Sequence, residues 1–471
     1  MNQKSRMNYS QIAILLLLQL LSMSINATIF TVTNGTDAGV GSLRQAIIDS
    51  NNNTGQDEVN FDIAQGDCDG AGVCHITVLS ELPAITDAVI IDGTTQPQYG
   101  TAPANVCATN NAASYMRIEL NNTSFIDIII LNSSEPSVVK GLSIGGETTN
   151  ADDAIKFHGN AKHWVNCNHL GVNAEGTGKL KVSTGICISC TSPQGSNGII
   201  GTNSDGVNDV SERNIIAGNR GIYHNSRNNY VIAGNYFALT ADGMSGLETS
   251  TCLSGRQSSN NIYGSNLDGI NDSLERNIFG NCLTGISLSN DNNSTNMIAG
   301  NWFGVNSNGT SLANGVNTGI NIESITAISS PSYLVSSNWI DSAVDSAITI
   351  KEGALLSAGS NNNCITNSSN GLTYSGISLD QPFTDNYWGD ISGPSGVGTG
   401  TGAAIVYSST GTISYDPWNA GFQPGCLLDI APPSVVLTKS AGVIDDIDNS
   451  NTISVGDIIN YRFTIENTGN A

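Results

Sequence analysis

The sequence predicts an all-β solenoid, a parallel β-helix. Three observations carry this: a composition built for turns, internal repeats of fixed length, and short alternating apolar segments between the turn residues. Of 471 residues, 52 are Gly and 57 are Asn, both poor in helix interiors and good in corners. Only 12% are charged, yet 39% are hydrophobic, enough to bury a long core. Lys and Arg number 17 against 40 Asp and Glu, a formal net charge of −23. That balance excludes nucleic acid and anionic membrane surfaces as partners, because phosphate-binding faces need clustered cations.

Residues 1–27 are read as a secretory signal peptide. Lys4 and Arg6 precede the apolar run Ile12 to Leu21, followed by a small-residue segment ending Ser24-Ile25-Asn26-Ala27, with cleavage after Ala27. A membrane-spanning helix, the competing assignment, needs a longer run. The expected location is therefore secreted, extracellular or cell-surface. Ten cysteines in an exported chain pair most naturally as disulfides, and Cys68 with Cys74 would close a short loop. Other pairings stay open. Cys187-Ile-Ser-Cys190 has the look of a redox or zinc pair, but no second such pair exists, so buried or disulfide-bonded cysteine is expected there.

A bare solenoid exposes a sheet end, so caps are expected. Gly41-Ser-Leu-Arg-Gln-Ala-Ile-Ile-Asp49 reads as a short amphipathic capping helix, with Ser42 as N-cap and Leu43, Ala46 and Ile47 on one face. Residues 28–130 are assigned to this cap and the first rungs. Residues 131–430 are assigned to the repeats. There, Ser196-Asn-Gly-Ile-Ile-Gly-Thr-Asn-Ser-Asp-Gly-Val-Asn-Asp209 recurs 63 residues later as Ser259-Asn-Asn-Ile-Tyr-Gly-Ser-Asn-Leu-Asp-Gly-Ile-Asn-Asp272, each followed by Glu-Arg-Asn-Ile. A second element starts at Asn168, Asn235 and Asn301. Small-residue and Ile echoes lie at Gly185, Gly221, Gly285, Gly319, Ala347 and Gly376. Dividing a repeat into three suggests rungs of roughly 22 residues. Asn side chains at one corner of successive rungs are expected to bond along the stack. The aromatic and turn residues of Asn386-Tyr-Trp-Gly-Asp390, Gly393-Pro-Ser-Gly396 and Tyr415-Asp-Pro-Trp418 suit a closing lid.

Phe30-Thr-Val-Thr-Asn34, Gly41-Ser-Leu-Arg-Gln-Ala46, Leu82-Pro-Ala-Ile-Thr86 and Ile91-Asp-Gly-Thr-Thr-Gln-Pro97 resemble the amino-terminal region of secreted bacterial right-handed parallel β-helix proteins of the CSLREA type. The match departs at Gly41 and Gln45, where the motif has Cys and Glu. The resemblance covers most of residues 28–430 and implies an exported right-handed β-helix, an architecture shared without a single activity. The tail, 434–471, resembles the opening strands of the Ig-like surface repeats called DUF11. A sandwich of that kind needs about 100 residues, so an incomplete repeat is expected.

Candidate chemistry is sparse. Asp446, Asp448, Ser450, Thr452 and Asp457 fall at loop positions 1, 3, 5, 7 and 12, a spacing that calcium favours. Asn451 stands where Gly is usual and Asp457 is shorter than a bidentate Glu, so a solvated acidic hairpin remains the alternative. Asp205, Asp209 and Glu212 are repeated as Asp268, Asp272 and Glu275, which points to corner turns and stacked Glu-Arg pairs rather than one active site. Asp152 and Asp153, with Lys156 and His158, form the best unrepeated cluster, with carboxylates plus an acid or base. Adjacent strand residues face opposite ways, so both Asp are expected to share a cleft only in a turn. His158, His163, His169 and Cys167 are metal ligands by type, but their spacings match no closed zinc motif. His169 takes the slot of Tyr236 and Trp302 in the other copies, which suits a packed ring.

Two functions stay open on these residues. One is a structural or adhesive surface protein presenting a long repetitive face to a polysaccharide or cell-surface ligand. The other is a carbohydrate-active enzyme, a polysaccharide lyase or hydrolase, using the solenoid as a groove. Neither calls for an organic cofactor; calcium is the ion the tail suggests.

Overall fold

The computed structural model describes residues 27–97, 115–146, 151–159, 161–188, 197–289, 295–324, 333–376, 381–407, 411–421, 435–445 and 458–467. Residues 1–26 of the expected signal segment, and Asp446, Asp448, Ser450, Thr452 and Asp457, the expected calcium ligands, lie outside them.

Three long parallel sheets of ten, ten and eleven strands are visited in turn as the chain advances. The first runs from Ile29–Val32 to Tyr333–Ser336 and the second from Cys74–Val78 to Cys364–Thr366. The third begins at Ile129–Leu131 and includes Ala151–Phe157, Val182–Ile188 and Arg220–Asn225. The described strands of these three sheets pair in parallel, and the register shifts only near the far end, at Asn370–Leu372 and Pro394–Gly396; Ile186, for example, lies between Ile155 and Ile222. This is the connectivity of a β-solenoid: no rung buries its apolar face alone, and its neighbours complete one continuous core.

The rung length corrects the sequence estimate. Ile222, Leu253 and Ile286 occupy successive places in one column of the third sheet. A 63-residue repeat therefore holds two rungs, not three. Excursions at the corners take up the difference, such as residues 203–212 between Gly198–Gly201 and Ile215–Ile216. One echo was also out of phase. Leu372 pairs with Ile348, so Gly371 occupies the small-residue column and Gly376 pairs with Glu352.

Identical residues stack as the solenoid requires. Asn168, Asn214, Asn235, Asn277, Asn301, Asn338, Asn363 and Asn386 are all fully buried. Each side-chain amide donates to the carbonyl oxygen of the next, at 2.9–3.1 Å. The same oxygen takes a backbone N–H, as when Asn235 N donates to Asn277 Oδ1 at 3.0 Å. One side chain type thus satisfies the groups that every corner would otherwise leave buried and unpaired. Inside, Phe237, Phe279 and Phe303 stack with centroids 4.7 and 4.6 Å apart.

The amino-terminal cap forms as expected. The helix Leu43–Asn51 has Ser42 as N-cap, accepting from Gln45 N, and buries Leu43, Ala46, Ile47 and Ser50 against the first two strands. At the far end Trp388 is fully buried and meets Phe383 edge-on at 5.9 Å. The Trp418 ring closes over Gly393, where an added Cβ would lie 2.5 Å from it. Cys68–Cys74 and Cys252–Cys282 are disulfides, and no described cysteine is free. Val435–Asp445 and Ile458–Asn467 pair antiparallel. Among the described residues no helix is long and apolar enough to cross a membrane.

Candidate functional site

The third sheet builds the cluster that the sequence singled out, through a slip in strand alternation. Ala154 and Ile155 are both fully buried although adjacent. The same pair of buried neighbours recurs as Cys252-Leu253 and Ala347-Ile348. The small residue fits inward: a Cβ on Gly185 would meet Ile216 Cγ2 at 2.9 Å, and one on Gly221 would meet the Cys252 carbonyl at 2.3 Å. Two consecutive inward residues shift the alternation by one. Asp153 before the pair and Lys156 after it therefore share the outer face, with Lys156 Nζ 3.8 Å from Asp153 Oδ2.

Asp127 completes the site from the rung before. Ile128 N donates to the Asp153 carbonyl at 3.0 Å and Asp152 N to the Ile126 carbonyl at 2.9 Å, which fixes the two rungs side by side. Lys156 Nζ then reaches Asp127 Oδ2 at 2.7 Å. Asp127, Asp152 and Asp153 each bring a carboxylate oxygen within 4.8 Å of the others. Asp152 and Asp153 thus share the site from within a strand, correcting the expectation that a turn was needed. Asp127 and Asp153 are nearly buried and Asp152 is half-buried. Asp127 Oδ1 has no hydrogen-bond partner.

Electrostatics follow from three carboxyls around one ammonium. Burial, then repulsion from Asp127 and Asp152, pushes Asp153 up to about 7 despite Lys156. Burial and Asp127 raise Asp152. Burial pulls Lys156 down, but the hydrogen bond and charge of Asp127 more than reverse it, so its net shift is upward. His158, just past the end of the strand Ala151–Phe157, is lowered by burial and by Lys156. Asp153 is therefore a proton donor or acceptor near neutrality, beside a carboxylate already held by Lys156. The three oxygens also suit a divalent cation, which would share Asp127 with Lys156. Asp127 is not among the residues the sequence singles out, because it joins the site only through the pairing of Ile129 with Ile155. Asp127-Ile-Ile129 repeats the pattern Asp153-Ala-Ile155, and tracing the echoes back from Gly185 would have found it.

The other candidates serve the fold. Asp205 Oδ1 accepts from Val207 N, Asp209 Oδ1 from Thr202 Oγ1, and Glu212 Oε2 from Asn203 N; Asp268, Asp272 and Glu275 repeat this. Arg213 and Arg276 lie over the rings of Tyr236 and Trp302, at 4.0 and 3.8 Å. Cys167 and Cys187 are in disulfides, which removes the thiols that redox or zinc chemistry would use; Cys190 lies outside the described residues. His163 Nδ1 accepts from Ser137 N, and His169 Nδ1 donates to the Asn173 carbonyl at 2.7 Å. His169 sits in the column of Ile215 and Tyr236, as a packed ring should.

Burial lowers His163 and His169 to about 4 and His224 to about 3. Folded values below the reference of 6.5 mean that the unfolded chain takes up protons first as pH falls. Their contribution is present above pH 6.5 and is lost as pH drops toward 4, by up to about 1.4 kcal/mol per pH unit for each. His169→Tyr, which copies Tyr236, should shrink the fall in melting temperature between pH 7 and 5. An unchanged fall would show that His169 does not titrate on unfolding.

No protein family, curated protein or solved structure matches the chain.

Proposed function

We propose that the chain is an exported, right-handed parallel β-helix of the cell surface, a structural or adhesive protein whose outer faces repeat from rung to rung. The single observation that supports this best is the ladder of eight buried asparagines. A solenoid bonded from rung to rung between Asn168 and Asn386 is stiff over that length, and its outer columns hold a fixed spacing of about 4.8 Å per rung. Right-handedness follows the general preference of parallel crossovers. The antiparallel pairing of Val435–Asp445 with Ile458–Asn467 is consistent with the start of an Ig-like repeat of the DUF11 type, and the sequence spacing of Asp446, Asp448, Ser450, Thr452 and Asp457 supports calcium binding there.

The test is to incubate the protein with neutral and acidic polysaccharides, scoring binding, new reducing ends and unsaturated products. Binding without cleavage is the expected result; cleavage would replace the proposal with the enzyme. That second function, a lyase or hydrolase, is favoured by one observation, the proximity of Asp127, Asp152 and Asp153 to Lys156. Loss of any cleavage in Asp153→Asn would place the chemistry at this cluster.

A further inference from the structure

A second site lies on a different face, outside the first sheet. A cleft of about 270 Å³ opens over Trp164, between the strands carrying Ile90 and Val138 and the excursion that ends at Glu212. Its origin is in the repeats. The two excursions, residues 203–212 and 266–275, follow one another along the solenoid, and the second meets the first repeat where Gly234 N donates to the Glu275 carbonyl at 2.7 Å. Before the first there is no third copy: the chain passes from Val138–Lys140 to Leu142–Gly145 through Gly141 alone. The leading excursion therefore overhangs the strands that carry Ile90, Val138 and Trp164.

The lining combines one carbon platform with both senses of hydrogen bond. Trp164 is half-buried, and its only polar atom, Nε1, already donates to the Gly201 carbonyl at 2.9 Å. What it offers the cleft is ring carbon. Lys140 and the amides of Asn166 and Asn208 bring donors, while Glu212 and the Ser211 hydroxyl bring acceptors. No excess cation faces the space: Lys140 Nζ is paired with Asp92 Oδ2 at 2.9 Å, and the whole chain carries a net charge of −23. A ligand suited to these walls has one apolar face and a rim of groups that both donate and accept, and it carries no negative charge.

We propose that this cleft binds one neutral pyranose unit, its C–H face on Trp164 and its hydroxyls on Lys140, Asn166, Asn208, Ser211 and Glu212. The cleft is separate from the Asp127–Asp153 cluster and does not depend on catalysis there. It supplies a ligand class, a terminal or internal neutral sugar, to a presenting surface.

The experiment uses the full chain and saturation-transfer NMR with calorimetry. The probes are the methyl glycosides of glucose, galactose, mannose and N-acetylglucosamine, set against galacturonate and glucose sulfate. Saturable binding of at least one neutral glycoside is expected, weakened at least tenfold in Trp164→Ala. Because that variant also loses the bond to Gly201 and risks the fold, Val138→Trp serves as the second: it fills the cleft from an outward-facing strand position and should abolish binding with an unchanged melting temperature. Absence of saturable binding across the neutral probes overturns the proposal. So does preference for the anionic sugars, or binding that survives Val138→Trp. Failure here leaves the polysaccharide assay of the whole surface untouched, since that assay also reads the third sheet.

Discussion

Asn277→Ala is expected to lower stability by about 3 kcal/mol, far more than a polar-to-alanine change at a solvated corner. Asn277 Oδ1 accepts two hydrogen bonds, from Asn235 N at 3.0 Å and Asn235 Nδ2 at 3.1 Å. Its Nδ2 donates two more, to the Ile232 carbonyl at 2.7 Å and to Asn301 Oδ1 at 3.1 Å. Truncation removes all four in a place with no measurable exposure. Asn235 Nδ2 keeps its bonds to the Ile200 and Ala233 carbonyls, and Asn301 Oδ1 keeps the Asn277 backbone N–H. The Asn235 backbone N–H has no substitute, and leaving one buried donor unmet costs about 1–3 kcal/mol. Because a solenoid couples neighbouring rungs most strongly, hydrogen exchange should accelerate first at the Asn235 amide. Asn308→Ala, at an exposed corner, is the comparison and should change the urea midpoint little. Equal effects in the two variants would mean that the ladder does not hold the stack.

Much of this ladder is legible in the sequence, for a physical reason. A corner that repeats must meet the same backbone groups each time, so the same side chain returns; Asn168, Asn235 and Asn301 head one repeated element, and Asn214 and Asn277 close the other. Asn338, Asn363 and Asn386 escape because their rungs lack those elements, although their hydrogen bonds are the same. Rung length is not legible, for the converse reason. Excursions such as residues 203–212 vary freely at a corner without disturbing the strands, so a repeat period does not divide evenly into rungs. The capping helix could be read from Ser42 and the spacing of Leu43, Ala46 and Ile47, all of which are local. The acid cluster was only half legible. Asp152, Asp153 and Lys156 are neighbours in sequence, whereas Asp127 arrives through inter-rung register, and the alternation slip at Ala154 shows itself only when the small-residue column is aligned across rungs. The cleft over Trp164 has no sequence signal, because it is made by the absence of a third excursion.

Lys156→Met should cost about 3–5 kcal/mol at pH 8, the loss typical when one partner is taken from a buried ion pair, and much less at pH 5. The long apolar side chain keeps most of the packing, so the difference isolates charge. At pH 8 the variant leaves Asp127, Asp152 and Asp153 within 4.8 Å of one another with no ammonium among them. The fold can relieve this only by taking up protons. Asp153 already sits at about 7 in the folded protein against a reference of 3.8, so its folded form binds a proton more readily than its unfolded form. The stability tied to that proton is fully present below pH 3.8 and is lost as pH rises through 7. Removing Lys156, whose charge opposes that upward shift, moves Asp153 higher still and carries the loss on to higher pH. The measured quantity is the gap in unfolding free energy between wild type and variant from pH 5 to 8: it should widen with pH, and adding Asp127→Asn should close much of it by removing one of the stranded charges. A gap independent of pH would mean that Lys156 acts through its methylene stem, and that the three carboxyls are not coupled as their spacing requires. Coupling is also what the catalytic alternative needs, because a carboxyl near neutrality works only with the groups set around it, and in this cluster Lys156 is the group that holds Asp127 beside Asp153.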